Sequence, residues 1–187
     1  TSDLLVSFGE RLSTTLIAAI LTQRGLPVVY VDARNLIKTN AQFGKAEVNF
    51  EKTRSLIQEF FKGYDTEIAL ITGFIASDEQ GETTTLGRGG SDYTASILGA
   101  ALGVQEIEIW TDVDGMMTAD PRLVQNPKPI EAISYQEAME LSHFGAKIIY
   151  PPTIQPVMKK NIPVWVKNTF EPDAAGTVIQ QHAITNN

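Results

Sequence analysis

The sequence contains no cysteine and only two histidines, and both shortages limit the chemistry available to the protein. Without cysteine there is no disulfide, no thiol nucleophile and no thiolate ligand for a metal ion. The two histidines, His143 and His182, are far apart along the chain and lack the spacing of metal ligands. The absence of cysteine fits a reducing compartment, and the sequence predicts no metal ion held by side chains.

The sequence also has no excess of basic residues and no long apolar run. The 15 Lys and Arg residues are outnumbered by 22 Asp and Glu residues, which gives a formal net charge of −7. Nucleic acid is therefore a poor candidate partner, although a local group of donors can still hold one nucleotide. Apolar runs such as residues 16–21 are shorter than the ~20 residues of a membrane helix. The N-terminus has no basic region before an apolar one, so we expect a soluble cytoplasmic protein without a membrane partner.

Helical and strand patterns alternate along the 187 residues, a length that favours a single domain over residues 1–187. The predicted helices cover residues 3–22, 49–62, 91–102, 134–144 and 153–160. The predicted strands cover residues 26–33, 67–74, 105–112, 162–169 and 176–180, with a loop at 34–48 and a hairpin or exposed connection at 77–85. Strands that alternate with helices and are apolar on both faces indicate an α/β fold with a mainly parallel sheet between helices.

Local capping signals mark several helix ends. Asp3 and Asn49 are candidate N-caps, and Ser134 with Glu137 forms a capping-box pattern. Gly25 follows the first predicted helix and is its expected stop signal. In α/β sheets of this kind, ligands bind outside the carboxyl ends of the strands, so the loops after the strands are the first places to look for a site.

The segment LGRGGSD (86–92) stands at the start of a predicted helix. Glycines permit positive φ and close backbone approach, and consecutive amides at a helix start form a concave anion site. Arg88 adds a planar fork suited to carboxylate or phosphate. The alternative is a purely structural role, in which Ser91 is an N-cap and Asp92 is a first-turn charge. That alternative does not explain Gly89 and Gly90 beside Arg88.

The segment WTDVDGMMTADPR (110–122) directly follows a predicted buried strand. Its carboxylates Asp112 and Asp114 flank a glycine turn, which makes it a candidate ligand loop. A turn-rich surface loop is the alternative, because Asp, Gly and Pro are turn formers. The Asp-x-Asp-Gly spacing resembles part of a calcium loop, but the remaining ligands and the distal Glu are absent.

Two further charged residues have weaker signals. Lys147 follows a glycine just past a predicted helix end, where a solvated lysine is the better interpretation of that residue alone. Glu10 lies inside an apolar helical pattern, in a polar stripe with Ser7 and Thr14. Most charges in such patterns face solvent, so this stripe is weak evidence of a site.

Four segments together resemble the sequences of aspartokinases, enzymes of the amino-acid kinase superfamily. In chain order they are SFGERLS (7–13), TTTLGRGGSDYTA (83–95), WTDVDGMMTADPR (110–122) and FGAKIIYP (144–151). The combination is specific although no single segment is, and it extends over nearly the whole chain. Acetylglutamate kinase, glutamate 5-kinase and uridylate kinase share the superfamily fold but not this combination. The resemblance implies a three-layer α/β sandwich of the carbamate kinase-like type.

The resemblance also implies a reaction: ATP-dependent phosphorylation of the side-chain carboxylate of L-aspartate, which gives 4-phospho-L-aspartate for lysine, threonine and methionine biosynthesis. Glu10 then meets the amino group of aspartate, Arg88 clamps a carboxylate and Ser91 donates a hydrogen bond. Asp92 matches the aspartate that orients catalytic lysines, and Lys147 lies near the transferring phosphates. An aspartate carboxylate is already ionised, so phosphoryl transfer to it needs positioning and charge neutralisation but no general base.

The nucleotide-binding residues that the resemblance implies come from two regions. They are Gly89, Gly90, Thr111, Asp112, Met117, Arg122, Lys147 and Ile148. Magnesium is then held mainly by the nucleotide phosphates and water. The expected partners are L-aspartate and ATP, and the parent enzyme is expected to be a homo-oligomer.

The sequence departs from the aspartokinase pattern in three places. The Lys-Phe-Gly-Gly segment of the family's first strand is absent, since residues 43–45 have the wrong order and lie in mid-chain. Met117 stands where the family often has an aromatic residue. The family continues into regulatory ACT domains, and some relatives continue into homoserine dehydrogenase. We therefore expect residues 1–187 to be a truncated catalytic domain, of a monofunctional or a bifunctional parent, with negligible kinase activity alone.

Two alternative functions stay open at this point. One is another superfamily enzyme that phosphorylates a different carboxylate, phosphate or carbamate. The other is a non-catalytic module that binds a nucleotide or an amino acid. A substrate panel with ATP separates the first from aspartokinase activity, and calorimetric titration with ATP and aspartate tests the second.

Overall fold

The computed structural model describes residues 1–64, 67–119, 124, 127–144 and 149–182. Its backbone contacts divide the chain into two compact units, Thr1–Thr94 and Ala95–Asn187. The expectation of a single domain therefore stays a prediction, and the two units are described in turn.

The first unit contains two long helices and two pairs of strands. Its elements are α1 (Ser2–Gln23), β1 (Val28–Val31), α2 (Phe50–Lys62), β2 (Ile68–Ile71), β3 (Ile75–Ser77) and β4 (Thr83–Thr85), with a short 3-10 turn at Ala33–Asn35. Strands β1 and β2 pair in parallel, with Val28 opposite Ile68. Strands β3 and β4 form an antiparallel hairpin, one of the two alternatives predicted for residues 77–85, and it begins two residues earlier, with Ile75 opposite Thr85.

Helix α1 begins one residue before the predicted start, and its cap is not the predicted one. The side chain of Thr1 accepts a hydrogen bond from the amide of Leu4 and is the N-cap. Asp3 is 3% exposed, and its carboxylate bonds instead to two distant segments, so the prediction that Asp3 caps the helix is wrong. Helix α1 ends before Gly25, whose φ of +81° suits glycine.

The buried side of α1 is polar and its apolar residues are largely exposed. Asp3, Ser7 and Thr14 are buried, whereas Leu5 and Leu12 are 73% and 67% exposed. By length and composition the helix is apolar enough to cross a membrane, a test that core helices of soluble proteins and signal sequences also pass. The test alone therefore assigns no location.

Helix α2 is capped as the sequence predicts. The side chain of Asn49 accepts a hydrogen bond from the amide of Lys52, 3.1 Å away. Thr53 and Ile57 form the buried side of the helix, and the amide of Lys38 donates to the hydroxyl of Thr53. These contacts hold α2 against the segment that follows β1.

The second unit contains one four-stranded sheet among its described residues. Its elements are β5 (Ile107–Thr111), β6 (Ala132–Ser134), α4 (Tyr135–Phe144), α5 (Gln155–Met158), β7 (Val164–Asn168) and β8 (Thr177–Gln180). The strand order is β5-β7-β8-β6, with β5/β7 and β6/β8 parallel and β7/β8 antiparallel. Helix α3 (Gly90–Leu102) begins in the first unit and ends in the second.

The capping box at the start of α4 is formed as predicted. The amide and hydroxyl of Ser134 donate to the carboxylate of Glu137, and the amide of Glu137 donates back to the Ser134 hydroxyl at 3.2 Å. These bonds hold the pKa of Glu137 below its usual value. The core that α4 covers consists mainly of aliphatic residues, among them Ile133, Ala138, Val157, Val164, Val166 and Ile179.

The α/β class with mainly parallel strand pairing is confirmed. Three of the five strand ladders in the described residues are parallel. Each predicted strand is present in shortened form, and β6 was not predicted. Strand β5 ends at Thr111, so the loop that the sequence marked as a candidate begins at the carboxyl end of a parallel strand.

Candidate functional site

The turn that joins β4 to α3 requires glycine for backbone reasons. Gly87 and Gly89 have φ values of +72° and +67°, a region that other residues rarely adopt. The amide of Leu86 donates to the carbonyl of Phe74 at 2.9 Å, which fixes the beginning of the turn against the residue that directly precedes β3. The amide of Gly90 donates to the carbonyl of Gly87, so the chain turns sharply into α3.

Gly90 meets a different requirement, which is close packing. A Cβ on Gly90 would lie 2.6 Å from Cδ2 of Phe74, and one on Gly73 would lie 2.9 Å from Oγ of Ser91. Phe74 itself has a φ of +68°, which is uncommon for a residue with a side chain. The sequence interpretation assigned Gly90 to open amide access; the structure shows that its amide is used inside the turn and that its missing side chain admits Phe74.

Six residues of this turn region and Glu10 of α1 line one open pocket of about 360 Å³. The lining residues are Glu10, Phe74, Gly87, Gly89, Gly90, Ser91 and Asp92. The structure therefore brings together five residues that the sequence analysis selected from two separate segments. Within the described residues, the amides of Gly89, Ser91 and Asp92 donate to no other group, and they lie where the positive end of the α3 dipole adds to their field.

Glu10 and Asp92 are the two carboxyl groups that line the pocket. Burial raises the pKa of both carboxyl groups above the usual values. Neither side chain pairs with a cation or accepts a hydrogen bond among the residues that the structure describes. Two partly desolvated carboxylates without counter-ions are stabilised by a cationic group that enters the pocket.

Arg88 belongs to the same turn but is not among the lining residues of the pocket. Its side chain is exposed and forms no ion pair with the described residues. Arg34 of the same unit, by contrast, donates hydrogen bonds to both carboxylate oxygens of Asp32 and to the hydroxyl of Thr83. Arg88 is thus a cation at the glycine turn with its planar donors available.

The second predicted segment begins at the end of β5. The carbonyl of Thr111 accepts from the amide of Thr169, and the hydroxyl of Thr111 donates to Asp112, with the two oxygens 3.2 Å apart. The side chain of Asp112 is exposed and Met117 is half-buried. These positions leave Asp112 accessible to a ligand at the carboxyl end of the sheet.

Asp114 and Thr177 hold this loop to the sheet. The side-chain amide of Asn168 donates to the carboxylate of Asp114, with Nδ2 and Oδ1 2.6 Å apart. Gly115 has a φ of +116°, and a Cβ there would lie 2.4 Å from the hydroxyl oxygen of Thr177. That hydroxyl accepts from the amide of Met116 at 2.8 Å. Asp114 therefore has a structural role, and only Asp112 of the pair is free for a ligand.

Three of the predicted nucleotide-binding residues, Arg122, Lys147 and Ile148, lie outside the described residues. Phe74, by contrast, lines the pocket and was not selected from the sequence. The signal that was available is its place directly after Gly73, at the end of a predicted strand, where ligand loops are expected.

The sequence profile of the amino acid kinase family matches residues 1–168. The chain belongs to the amino acid kinase family. Among its relatives, the lysine-sensitive aspartokinase 3 of Escherichia coli (strain K12) is 41% identical over 179 residues, which are 95% of this chain and 40% of that enzyme. The bifunctional aspartokinase/homoserine dehydrogenase of Haemophilus influenzae is 43% identical over 171 residues, which are 91% of this chain and 21% of that protein.

A solved structure supports the same relationship. The crystal structure of E. coli aspartokinase III in complex with aspartate and ADP superposes with a TM-score of 0.91 at 40% identity, covering 98% of this chain and 41% of the other. The resemblance to aspartokinases is thus confirmed in sequence and in fold. The chain spans about two fifths of the length of that relative.

Proposed function

We propose that the protein carrying this sequence is an aspartokinase, which transfers the γ-phosphoryl group of ATP to the side-chain carboxylate of L-aspartate. The observation that supports this most directly is the pocket between Glu10 and the glycine turn. It combines partly desolvated carboxylates, which favour an ammonium group, with free amides, which favour a carboxylate or phosphate. Arg88 belongs to the same turn but not to the lining of the pocket, and its exposed guanidinium adds a donor for such an anion. L-Aspartate carries both kinds of group.

The proposed acceptor site uses four residues of the first unit. Glu10 receives the ammonium group, and Arg88 clamps a carboxylate through its planar fork. Ser91 donates a hydrogen bond to the substrate. For Asp92 we propose the role that the resemblance implies, which is to orient catalytic lysines. This set holds the acceptor and leaves its side-chain carboxylate as the nucleophile.

The residues proposed to bind the nucleotide are Gly89 in the first unit, whose amide is free among the described residues, and, in the second unit, Thr111, Asp112 and Met117 of the loop after β5. Gly90, Arg122, Lys147 and Ile148 complete the set that the resemblance implies. No group of three or more metal-ligating side chains occurs in the described residues. We propose that Mg²⁺ is held mainly by the nucleotide phosphates and water, and when bound it neutralises phosphate charge.

The chemical step is balanced without a protein base. A side-chain oxygen of aspartate attacks the γ-phosphorus, a new phosphorus–oxygen bond forms, and the bond to the bridging oxygen of ADP breaks. The products are 4-phospho-L-aspartate and ADP, and no proton is taken from the acceptor because it reacts as a carboxylate. The residues of the pocket contribute position and charge stabilisation.

A substrate panel tests this proposal. The complete polypeptide that carries this sequence is incubated with ATP, Mg²⁺ and hydroxylamine, and acyl phosphate is trapped as hydroxamate. We expect hydroxamate with L-aspartate and little with glutamate or acetylglutamate, and no ADP release with UMP or carbamate. Preference for another acceptor identifies a different enzyme of the family, and binding of ATP and aspartate without turnover identifies a non-catalytic module. Cytoplasmic location, a homo-oligomeric state and a place in lysine and threonine biosynthesis stay predictions.

A further inference from the structure

Asp3 is a buried carboxylate that no proposed catalytic role uses. It is 3% exposed, and one oxygen, Oδ2, accepts three hydrogen bonds. The donors are the amide of Gly44 at 2.8 Å, the amide of Thr85 at 2.8 Å and the hydroxyl of Thr85 at 3.0 Å. Asp3 thus joins the first turn of α1 to two segments that are distant in sequence.

This carboxylate lies in the first turn of α1, where the helix dipole favours a negative charge, but it has no cationic side chain as a partner among the described residues. A buried charge is unfavourable unless hydrogen bonds replace its lost hydration. Three donors on one oxygen meet that requirement, so the geometry of Asp3, Gly44 and Thr85 is tightly defined.

The two segments that Asp3 holds lie on either side of the glycine turn. Thr85 is the last residue of β4, two residues before Gly87. A Cβ on Gly87 would lie 3.4 Å from the carbonyl oxygen of Gly44, so the Gly44 loop packs against the turn. The carbonyl of Thr85 also accepts from the amide of Ala46, which closes the connection between these segments.

Glu10 lies on the same side of α1 as Asp3. Seven residues correspond to two helical turns, or about 10.5 Å at 1.5 Å per residue. Ser7 lies between them on that side and is buried. A helix held at Asp3 cannot slide or rotate without moving Glu10, because its backbone is rigid over two turns. The Asp3 contacts therefore act on the position of Glu10 relative to Gly87 and Gly89, which line the same pocket.

We propose that Asp3 is a positioning residue for the acceptor site, which fixes Glu10 of α1 opposite the glycine turn that holds Arg88. This inference rests on the proposed aspartokinase function for the identity of the acceptor. Asp3 itself does not touch the substrate. It acts on acceptor binding through Glu10 and the turn, and its loss is expected to affect the acceptor more than the nucleotide.

The test compares three variants of the complete polypeptide. Asp3→Ala removes all three bonds, and Asp3→Asn keeps an oxygen acceptor without the charge. Ser7→Ala is the matched control, because Ser7 is equally buried on the same side but its hydroxyl bonds only to Leu4 within the helix. The measurements are KM for aspartate and for ATP, and amide hydrogen exchange of residues 86–91 in the unliganded protein.

We expect Asp3→Ala to raise KM for aspartate at least about tenfold, because displacement of a positioned group by 1 Å is enough for losses of that size. KM for ATP should change less than about twofold, exchange at 86–91 should accelerate, and Asp3→Asn should restore part of both effects. The Ser7→Ala variant should match the wild type. Equal effects of Asp3→Ala and Ser7→Ala, or equal rises in both KM values, overturn the proposal.

Failure of the proposed function is recognised separately. If the wild-type protein does not phosphorylate aspartate, the functional proposal fails, whereas the exchange comparison still decides whether Asp3 holds the turn. If Asp3→Ala does not fold, Asp3→Asn is compared with Ser7→Ala on the same two measurements. An Asp3→Asn variant with wild-type exchange and wild-type KM for aspartate then contradicts the proposal.

Discussion

Glu10 and Asp92 occupy the pocket with little compensation for their charge. Burial raises the pKa of each carboxyl group, and no described cation opposes that effect. A partly desolvated carboxylate binds an ammonium group more strongly than a fully solvated one does, because it has already lost part of its hydration. For the proposed acceptor site we therefore expect a preference for a zwitterionic ligand over a plain dicarboxylate.

The raised pKa of Glu10 predicts an acid limb in the pH profile. Glu10 binds an ammonium group only when ionised, so kcat/KM for aspartate should fall as the pH drops through the raised pKa of the free enzyme. In Glu10→Gln the value should be low, and the part of the acid limb that Glu10 causes should be lost, which leaves Asp92, whose pKa burial also raises, and the substrate carboxylate to set any remaining limb. Initial rates between pH 4 and 8 measure both profiles. An unchanged acid limb in Glu10→Gln excludes Glu10 as its origin.

The planar fork of Arg88 predicts a selective loss in Arg88→Lys. Lysine keeps the charge but not the bidentate geometry, so KM for aspartate should rise about tenfold while KM for ATP changes little. Steady-state kinetics at saturating concentrations of the other substrate separate the two constants. Arg24→Lys is the control, because Arg24 follows the end of α1 and lies outside the pocket. Unchanged aspartate kinetics in Arg88→Lys contradict the clamp.

At the scale of secondary-structure elements, the start of α3 depends on the absence of a side chain. In Gly90→Ala the new Cβ would lie 2.6 Å from the Phe74 ring, and such overpacking typically destabilises by about 1–3 kcal/mol. Gly63→Ala is the control, because nothing lies within 4 Å of that position and its φ is −110°. We expect chemical unfolding, followed by circular dichroism, to show a loss only in Gly90→Ala. Equal stability of the two variants would mean that Phe74 moves aside freely.

The loop after β5 depends on the hydroxyl group of Thr177 in β8. This hydroxyl accepts from the amide of Met116 and donates to the carbonyl of Ile130 at 2.6 Å. Thr177→Val keeps the shape but leaves buried groups unpaired, which costs about 1–3 kcal/mol. Thr169→Val, an exposed change directly after β7 in the same unit, should stay within about 0.5 kcal/mol. Tryptophan fluorescence during urea unfolding reports on this unit, because Trp110 and Trp165 both lie in it.

The ends of helices could be predicted from the sequence where the hydrogen bonds that define them join residues close together in the chain. Asn49 and the Ser134–Glu137 pair bond to groups three residues away, and both caps were predicted correctly. The capping prediction for Asp3 failed because its actual partners are 41 and 82 residues away. Strand β6 was missed because it is only three residues long and its partner β8 lies far along the chain. Contacts of that range leave no periodic pattern in the sequence.

At the scale of the whole molecule, the α/β class, the family and most residues of the pocket between Glu10 and the glycine turn could be predicted from the sequence. Five of the seven lining residues were selected from the sequence. Phe74 was not, because an aromatic residue at the end of a strand is usually a core residue. The separate roles of Asp112 and Asp114 were also not predictable, since the bond to Asn168 depends on the register of β5 and β7.

The most direct measurement compares L-aspartate with succinate, which has the same two carboxylates and no amino group. Isothermal titration of each ligand into the complete polypeptide with ADP present gives two dissociation constants. In the wild type we expect aspartate to bind at least about tenfold more tightly, the size of a charged hydrogen bond, and in Glu10→Gln we expect that preference to fall below about threefold. Equal binding of the two ligands by the wild type, or an unchanged preference in Glu10→Gln, would contradict the assignment of this pocket to the amino acid acceptor.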